Sequence, residues 1–402
     1  MKLEDFNLTK DELINMAETY MNETFKRYDF VADTSSDMYI YDENGGAYLD
    51  FLGGIAVNSV GGCNKAVIAA INEQAQDMIH ASNYFYTVPQ TVLAKKICET
   101  IGMDKIQFQN SGAEANEAML KLARKYGNDK SGGKRYKIVT ALNSFHGRTL
   151  ATLSATGQPG SAIHNGFEPL VDGFKYAEFN NLQSFEEAAT DDVIAIMVEP
   201  VQGEGGVYPA TQEFMTGLRE LCDRKGMLLL LDEVQTGWGR TGEIMAYMHY
   251  GIKPDAVTMA KAMGGGMPIA AMCATNEAMS ALGAGTHGTT FGGNPVCCAA
   301  SYAAVSEIVD KKLDVNAKEV GEYFMNELRK LPHVTEVRGL GMLVGVVFDA
   351  DIALDVKHDA FDNRLLMSVV KPNVIRMVPP LIATKEDCDK AVAIINNYLS
   401  SL

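Results

Sequence analysis

The sequence has 402 residues, 47% hydrophobic and 21% charged, a composition typical of an ordinary globular protein that is long enough for two domains. Its formal net charge of −16 disfavours nonspecific binding to nucleic acid or to an anionic membrane, because both are polyanions. The seven cysteines are odd in number and irregularly spaced, which fits neither a disulfide framework nor a metal site. Without a signal peptide or a long apolar run, we expect a cytoplasmic protein with reduced thiols, no metal and no membrane span.

The first predicted elements are a helix and a β-hairpin. Apolar residues recur at helical spacing over residues 11–27, which predicts an amphipathic helix that packs on the body of the protein or on a partner subunit. Within residues 38–51, the pair Asn44-Gly45 separates two strand-like runs, which is a strong hairpin signal. We expect residues 1–60 to join a smaller C-terminal domain.

Beyond about residue 65, short apolar strands alternate with helices, a pattern that predicts a layered α/β domain with a mostly parallel sheet over residues 61–309. The predicted strands are residues 105–109, 136–141, 193–198, 227–231 and 256–259, and the predicted helices are 67–78, 114–126, 211–225 and 296–309. A smaller α+β domain over residues 310–402 is expected to contain helices 316–331 and 385–399 and strands 335–338 and 342–348.

A helix start with free backbone N–H groups follows the first of these strands. Ser111 and Glu114 match a capping box, and the approach through Gly112 and Ala113 leaves N–H groups that suit a phosphate. Taken alone, the motif is better interpreted as a cap without a ligand.

An aromatic, an imidazole and a guanidinium group follow the strand 136–141. Phe145 can stack on a flat ring, and Arg148 can bind a carboxylate through two parallel hydrogen bonds. The alternatives are a surface ion pair for Arg148 and, at least as well supported, a structural hydrogen-bonded role for His146.

Lys261 and Asp232 together favour pyridoxal phosphate as the cofactor. Each follows an apolar strand, and ligands of open α/β sheets bind at the carboxyl ends of strands. A lysine can hold an aldehyde as a Schiff base, while an acid that faces the pyridine nitrogen keeps it protonated so that the ring accepts electrons. Burial would lower the pKa of Lys261 and favour its free amine. A solvated lysine and a loop acid are the common interpretations of each residue singly, but the convergence of several segments outweighs them.

Three further segments carry chemically distinctive groups. Glu199 and Glu204 lie on either side of a flexible stretch after the strand 193–198, and one of the two is open to a structural interpretation. Arg376 sits in an apolar segment, which argues for a specific anionic partner. The turn 285–295 is rich in glycine and hydroxyl groups; its G-x-G-x-x-G match at 283–288 lacks the strand–helix context of a dinucleotide site.

With these segments in order, the chain resembles the class III pyridoxal phosphate aminotransferases of fold type I, most closely their acetylornithine aminotransferase branch. The likeness runs from about residue 39 to the C-terminus through residues 48–58, 110–117, 145–149, 199–204, 232–242, 261–268 and 287–295. It implies a large domain with a mostly parallel sheet flanked by helices, plus a smaller α+β domain.

The resemblance also implies roles toward the cofactor. Lys261 would form the Schiff base, Asp232 would pair with the pyridinium, and Gln235 would contact the ring hydroxyl. Val234 and Phe145 would sandwich the ring, and Ser111, Gly112 and Ala113 would seat the phosphate. Thr290 would reach a phosphate across the interface of a homodimer.

Toward the substrate, the resemblance assigns two arginines. Arg148 would bind the carboxylate far from the reacting carbon, and Arg376 the one next to it in 2-oxoglutarate or glutamate. Glu204 would cover Arg376 when the substrate is a terminal amine and swing away for the keto acid. Thr289 stands on the substrate wall where acetylornithine enzymes usually carry serine, and residues 61–65 depart from the usual Gly-His-x-His-Pro turn.

The implied reaction moves the terminal amino group of N2-acetylornithine to 2-oxoglutarate, giving N-acetylglutamate 5-semialdehyde and glutamate, a step of arginine biosynthesis. Succinylornithine, ornithine and 4-aminobutyrate stay open as donors. A non-catalytic relative that binds the cofactor is a further alternative, disfavoured because the lysine, the acid and both arginines are present.

Overall fold

The computed structural model describes residues 1–402. Its strands, numbered in chain order, are β1 (Ala32–Ser36), β2 (Tyr39–Asp42), β3 (Ala47–Asp50), β4 (Lys105–Gln109), β5 (Lys137–Ala141), β6 (Phe174–Ala177), β7 (Val193–Val198), β8 (Val201–Gln202), β9 (Tyr208–Pro209), β10 (Leu228–Asp232), β11 (Ala256–Met259), β12 (Ala270–Ala274), β13 (Val334–Leu340), β14 (Leu343–Phe348), β15 (Leu365–Leu366), β16 (Ser368–Lys371) and β17 (Val374–Met377).

The α-helices are α1 (Lys10–Tyr20), α2 (Gly53–Ala56), α3 (Lys65–Asp77), α4 (Val88–Ile101), α5 (Gly112–Ser131), α6 (Leu150–Ala155), α7 (Leu182–Ala188), α8 (Gln212–Lys225), α9 (Asn276–Met279), α10 (Pro295–Asp310), α11 (Leu313–Leu328), α12 (Ala353–Asp362) and α13 (Lys385–Leu399). Short 3₁₀ helices occur at Leu3–Phe6, Ala246–Tyr250 and Lys261–Gly264. None of the helices combines the length and the apolar character that crossing a bilayer requires.

The large sheet has seven strands in the order β4-β12-β11-β10-β7-β5-β6, and only β12 runs against the others. Successive side chains point to opposite faces, so each strand contributes to two cores. Leu228 and Leu230 of β10 pack with α5, whereas Leu229 and Leu231 belong to the larger core that includes α8 and α10. The expected α/β layering with a mostly parallel sheet is confirmed.

Two strands of this sheet, β6 and β12, are absent from the sequence-based assignment. The segment of β12 reads Ala-Ala-Met-Cys-Ala, and alanine and methionine favour helices. All of its residues are buried between β11 and β4, so tertiary burial overrides local propensity there.

The predicted hairpin is present as β2 and β3, and β3 also pairs in parallel with β15. The ring of Tyr28 stacks on Phe361 of α12 at a centroid distance of 4.8 Å. The N-terminal strands thus share a sheet with a C-terminal strand, as the joining of residues 1–60 to the C-terminal part requires. The second C-terminal sheet has the antiparallel order β13-β14-β17-β16. The domain boundaries at residues 60 and 309 stay predictions.

The N-terminal helix is shorter than predicted, because it ends at Tyr20 instead of continuing to residue 27. The next residues include Asn22 and Thr24, which are weak helix formers. No residue of the helix is buried, and Met16, Tyr20, Met21 and Phe25 are exposed. Leu13, Ile14 and Ala17 are half-buried, so the chain itself covers the apolar side of the helix only in part, and packing on a partner subunit stays a prediction.

The turn at residues 61–65, which departs from the family pattern, has a local explanation. Gly61 has φ +89°, and a Cβ there would lie 2.7 Å from Ile382 Cδ1. Asn64 then caps α3, because its side-chain oxygen accepts hydrogen bonds from the backbone N–H groups of Ala66 and Val67. Asparagine thus supplies the helix start at this position.

Candidate active site

Three ionisable side chains meet where β7, β10 and β11 end. Val198 pairs with Leu231 and Asp232 pairs with Thr258, so Glu199 lies beside Asp232 on the neighbouring strand. Lys261 follows β11 after one residue. Parallel strands end at one edge of a sheet, and this edge therefore collects the groups that the sequence spreads over 63 positions, from residue 199 to residue 261.

Asp232 is held by donors on three sides. Its Oδ2 accepts from Nδ1 of His146 at 2.8 Å and from Nδ2 of Asn116 at 2.7 Å, and its Oδ1 accepts from the N–H of Val234 at 3.0 Å. The side-chain oxygen of Asn116 in turn accepts from the hydroxyl of Thr258 at 2.7 Å. Charge-assisted hydrogen bonds of this kind stabilise a buried carboxylate and set its orientation.

His146 has the structural role that the sequence left open. Its Nδ1 carries the proton donated to Asp232, and its backbone carbonyl accepts from the Asn116 amide at 2.7 Å. Its Nε2 is buried without a partner. The imidazole therefore orients Asp232.

Lys261 begins a 3₁₀ helix with φ +45°, in the left-handed region that favours glycine. A non-glycine residue there costs roughly 1–3 kcal/mol, which the surrounding packing must offset. The pKa of Lys261 is lowered to about 8, chiefly by burial and also by Arg376, against the opposing effects of Glu204, Asp232 and Glu199. The expectation of an amine with a depressed pKa is confirmed in direction.

Glu199 is buried but is not paired with a cation. One of its oxygens, Oε2, accepts from the N–H of Phe145 at 3.0 Å. Burial, followed by the charge of Asp232, raises the pKa of Glu199 well above its usual range. Asp232 thus accepts hydrogen bonds from three donors, whereas the adjacent Glu199 accepts from one.

The helix start at Ser111 differs in detail from the predicted capping box. The hydroxyl of Ser111 accepts from the N–H of Glu114 at 3.3 Å, as expected, but Glu114 Oε2 accepts from the N–H of Asn110 at 2.9 Å and not from that of Ser111. The N–H groups of Gly112 and Ala113, the first two of α5, have no protein partner. A Cβ on Gly112 would lie 2.7 Å from Val234 Cγ1, so glycine keeps these two segments close.

Glu204 and Arg376 form an ion pair through Glu204 Oε1 and Arg376 Nη1. Gln235 joins them, because its Nε2 donates to Glu204 at 3.4 Å and its Oε1 accepts from Arg376 at 3.3 Å. Burial raises the pKa of Glu204, but Arg376 and Lys261 outweigh that effect, so the pKa lies below its usual value. The anionic partner expected for Arg376 is thus Glu204 within the same chain.

Arg148 is exposed and lies over the ring of Phe145, with its guanidinium carbon 5.5 Å from the ring centroid. It makes neither a salt bridge nor a hydrogen bond, so the surface ion pair that the sequence left open is not formed. Phe145 itself is half-buried. The guanidinium is therefore available to an anion at the mouth of the site.

Thr289 and Thr290 lie in the turn after α9 and line a cleft of about 460 Å³ together with Asn110, Glu114 and His287. Thr289 is half-buried, and its hydroxyl accepts from Asn110 Nδ2 at 3.3 Å and from the N–H of Gly292 at 3.1 Å. Thr290 is exposed and makes no side-chain hydrogen bond in its own chain.

These residues fit pyridoxal phosphate. A lysine of depressed pKa lies at the same strand edge as a fully paired aspartate, and two unpartnered N–H groups begin α5. The glycine at position 112 leaves the space between α5 and Val234 that a Cβ would fill.

Three residues around Asp232 and Arg376 were not predicted from the sequence, namely Asn116, Thr258 and Ser368. Asn116 is a buried polar residue on the apolar face of α5, between Ala115 and Met119, and such a misplaced amide is a usable signal. No comparable signal marked Thr258, which lies on the neighbouring strand. The same holds for Ser368, whose hydroxyl accepts from Arg376 Nε at 3.3 Å.

Comparison with known proteins places the chain in a family. A family model described as Aminotransferase class-III matches residues 20–399. The acetylornithine aminotransferase of Caldanaerobacter subterraneus subsp. tengcongensis is 45% identical over 97% of this chain and 100% of that relative. The succinylornithine transaminase of Yersinia pseudotuberculosis is 44% identical over 92% of each chain.

A solved ornithine aminotransferase from Toxoplasma gondii, with pyridoxal phosphate at partial occupancy in its active site, superposes with a TM-score of 0.94. It is 32% identical, and the match covers 98% of this chain and 94% of that one. Sequence and fold agree over nearly the whole length, so the chain belongs to the class III aminotransferases and is a pyridoxal-phosphate-dependent transaminase.

Proposed function

We propose that the enzyme transfers the terminal amino group of N2-acetylornithine to 2-oxoglutarate as a step of arginine biosynthesis. The observation that carries the proposal is the Glu204–Arg376 ion pair at the lysine that would bind the cofactor. A buried arginine suits a carboxylate beside the reacting carbon, and a movable glutamate on it suits a donor that has none there.

Pyridoxal phosphate, when bound, supplies an aldehyde for amines and a protonated ring that accepts electrons. Lys261 would bind the aldehyde through Nζ and, once displaced by the substrate amine, take the proton from the substrate carbon that carries nitrogen. Asp232 would hold the proton on the pyridine nitrogen, with His146 and Asn116 fixing its oxygens.

The remaining cofactor contacts follow from position. Ser111 and the free N–H groups of Gly112 and Ala113 would seat the phosphate, Phe145 and Val234 would hold the two faces of the ring, and Gln235 would contact its hydroxyl. Reduction with borohydride is expected to attach the cofactor to Lys261, as peptide mapping would detect. Attachment to another lysine would contradict this assignment.

In the donor half-reaction, Arg148 would bind the α-carboxylate of N2-acetylornithine, which lies far from the terminal amine. Glu204 would meanwhile neutralise Arg376, since an unpaired buried guanidinium is unfavourable. In the acceptor half-reaction, Glu204 would swing away and Arg376 would bind the carboxylate next to the carbonyl of 2-oxoglutarate. Gly203, Gly205 and Gly206 surround Glu204, so its neighbours in the turn add no side chain that would obstruct this movement.

Donor identity is open between closely related amines, because the similar proteins include both acetylornithine and succinylornithine transaminases. Thr289 has its hydroxyl engaged by Asn110 and lines the cleft where the donor's acyl group would lie. Initial rates with acetylornithine, succinylornithine, ornithine and 4-aminobutyrate decide the question. The highest kcat/KM with acetylornithine is expected, and a preference for free ornithine or 4-aminobutyrate would overturn the donor assignment.

We further propose a homodimer in which Thr290 of each subunit completes the phosphate site of the other. Tyr84, Phe85 and Tyr86 are 96%, 67% and 101% exposed, and Tyr84 and Tyr86 line the same groove as Thr290, so a second copy would cover this surface. The cytoplasmic location inferred from the cysteine pattern stays a prediction.

Mixed dimers test the crossing of Thr290. Lys261→Ala and Thr290→Ala variants, each inactive at limiting cofactor, are unfolded, mixed and refolded together. If Thr290 serves the opposite subunit, each mixed dimer has one intact site and activity returns. If Thr290 serves its own subunit, no site is intact and activity stays absent.

A further inference from the structure

Arg338 shares a row of the C-terminal sheet with Arg376. Arg338 of β13 pairs with Gly345 of β14, and Gly345 pairs with Arg376 of β17. Directly paired residues of an antiparallel sheet project from the same face. The two arginines therefore stand on one face with a glycine between them.

The hairpin formed by β8 and β9, with Glu204 in its turn, lies across this row. Val207 sits over the middle, because a Cβ on Gly345 would come within 2.8 Å of Val207 Cβ. At one end of the row, Arg376 pairs with the side chain of Glu204. At the other end, Arg338 Nε donates to the backbone carbonyl of Gly206 at 2.8 Å.

Arg338 is itself tightly fixed. Its guanidinium carbon lies 3.6 Å from the centroid of the Tyr208 ring in β9, and its Nη1 pairs with Glu336 at 2.8 Å. Gly206 has φ +118°, and a Cβ there would come within 3.2 Å of Arg338 Nη2. The side chain of Arg338 is 10% exposed, whereas that of Glu204 is 34% exposed, so Arg338 is less accessible to solvent than Glu204.

We propose that Arg338 is a positioning residue that sets how firmly Glu204 covers Arg376, and thereby sets the balance between the two classes of substrate. Arg338 fixes the backbone of the turn two residues after Glu204, so that only the side chain of Glu204 needs to move. Without this anchor the turn is freer, and Glu204 spends less time on Arg376. The inference rests on the proposed exchange of Glu204 between donor and keto acid.

The test compares the two half-reactions of the holoenzyme by single-turnover spectroscopy. In Arg338→Ala we expect kcat/KM for the amine donor to fall about 5- to 20-fold and that for glutamate to be kept or to rise up to about threefold. Glutarate, a dicarboxylate that needs Arg376 uncovered, should bind about threefold more tightly in calorimetry, since less of the protein has Glu204 on Arg376. Arg338→Lys keeps a donor for the carbonyl of Gly206 but loses the planar stacking on Tyr208. Its kcat/KM values and its glutarate affinity should therefore lie between those of the wild type and of Arg338→Ala.

A matched control is Arg364→Ala, because Arg364 also lies over a tyrosine, at 5.1 Å from Tyr48, and also pairs with an acid, Asp42. In Arg364→Ala, the ratio of kcat/KM for the amine donor to kcat/KM for glutamate should equal that of the wild type. If Arg338→Ala fails to fold, Tyr208→Leu removes the stacking instead and should shift the ratio in the same direction.

Two results would overturn the role of Arg338: equal losses in both half-reactions, or an Arg364→Ala variant that shifts the ratio as much. Glu204→Gln separates this inference from the proposal beneath it. If Glu204→Gln shifts the ratio and Arg338→Ala does not, only the anchoring role fails. If Glu204→Gln shifts nothing, the exchange of Glu204 itself fails.

Discussion

The two ends of the active site are built in opposite ways. At the ring end, Asp232 is 4% exposed and its donors come from α5, from His146 and from its own turn, all within the large sheet and its covering helix. At the substrate end, the 34%-exposed Glu204 belongs to a glycine-flanked hairpin, while the 3%-exposed Arg376 belongs to the separate C-terminal sheet.

This contrast separates a fixed charge from a movable one. A carboxylate held by three donors cannot leave without exposing all of them, so it suits a group that must serve both half-reactions unchanged. An ion pair shared between two elements can open while each element keeps its own hydrogen bonds. The substrate end can therefore alternate without disturbing the ring end.

The largest loss of activity is expected from a substitution at the fixed end, Asp232. Asp232→Asn keeps the shape but removes the charge, and transamination should fall about a thousandfold in both half-reactions, the size expected for loss of a preorganised electrostatic partner. The measurement is single-turnover kcat with each substrate at saturating cofactor. A selective loss in one half-reaction would contradict the idea that this end serves both alike.

A substitution at the movable end, Glu204, should change kcat/KM unequally in the two half-reactions. Glu204→Gln leaves Arg376 without its anion, so kcat/KM for the amine donor should fall about 10- to 50-fold while that for glutamate is kept or improved, consistent with loss of one charged hydrogen bond. Both values come from the rate of spectral change at varied substrate. Equal losses would mean that Glu204 is not exchanged.

Lys261 lies between the two ends and is influenced by both. With a pKa of about 8, about a tenth of its amine is free at pH 7 and about nine tenths at pH 9. The rate at which cofactor-free protein combines with pyridoxal phosphate should rise about tenfold over that range and then level off. N-α-acetyl-lysine, as an unburied control, should keep accelerating above pH 9, and the same behaviour in the protein would contradict the lowered pKa.

The pH dependence of cofactor binding also shows which end of the site influences the pKa of Lys261 more strongly. Glu204 raises the pKa of Lys261 more than Asp232 does. Glu204→Gln should therefore move the midpoint to lower pH, and by more than Asp232→Asn does. A larger midpoint shift in Asp232→Asn than in Glu204→Gln would mean that the ring end influences the pKa of Lys261 more strongly.

The smallest effect is expected at Glu199, the neighbour of Asp232. Burial and the charge of Asp232 raise the pKa of Glu199 well above its usual range, which favours the neutral acid, and a glutamine amide resembles a neutral acid in shape and charge. Glu199→Gln should change kcat/KM by no more than about threefold, within the effect of altering one neutral hydrogen bond. A loss comparable with that of Asp232→Asn would show that Glu199 acts as a carboxylate.

Local patterns predicted most of the large sheet and the hairpin, because buried parallel strands read as continuous apolar runs and Asn-Gly marks a tight turn. They failed at β12, whose alanine-rich sequence favours a helix, and at the end of α1, where an apolar spacing continued past Tyr20. Burial decided the outcome at β12, whereas weak helix formers follow the last residue of α1.

The sequence by itself determined which groups stand at the strand ends, because a polar residue that follows a strand lies at that strand's carboxyl end, and parallel strands share that edge of the sheet. It thereby placed Lys261 and Asp232 at one edge. The resemblance to the family also anticipated Glu204 on Arg376, but only the tertiary structure decided the other contacts: Asn116 and His146 on Asp232, and Arg338 under the hairpin. Those pairs join residues 86 to 172 positions apart, and such contacts depend on how sheets and helices pack and not on any local pattern.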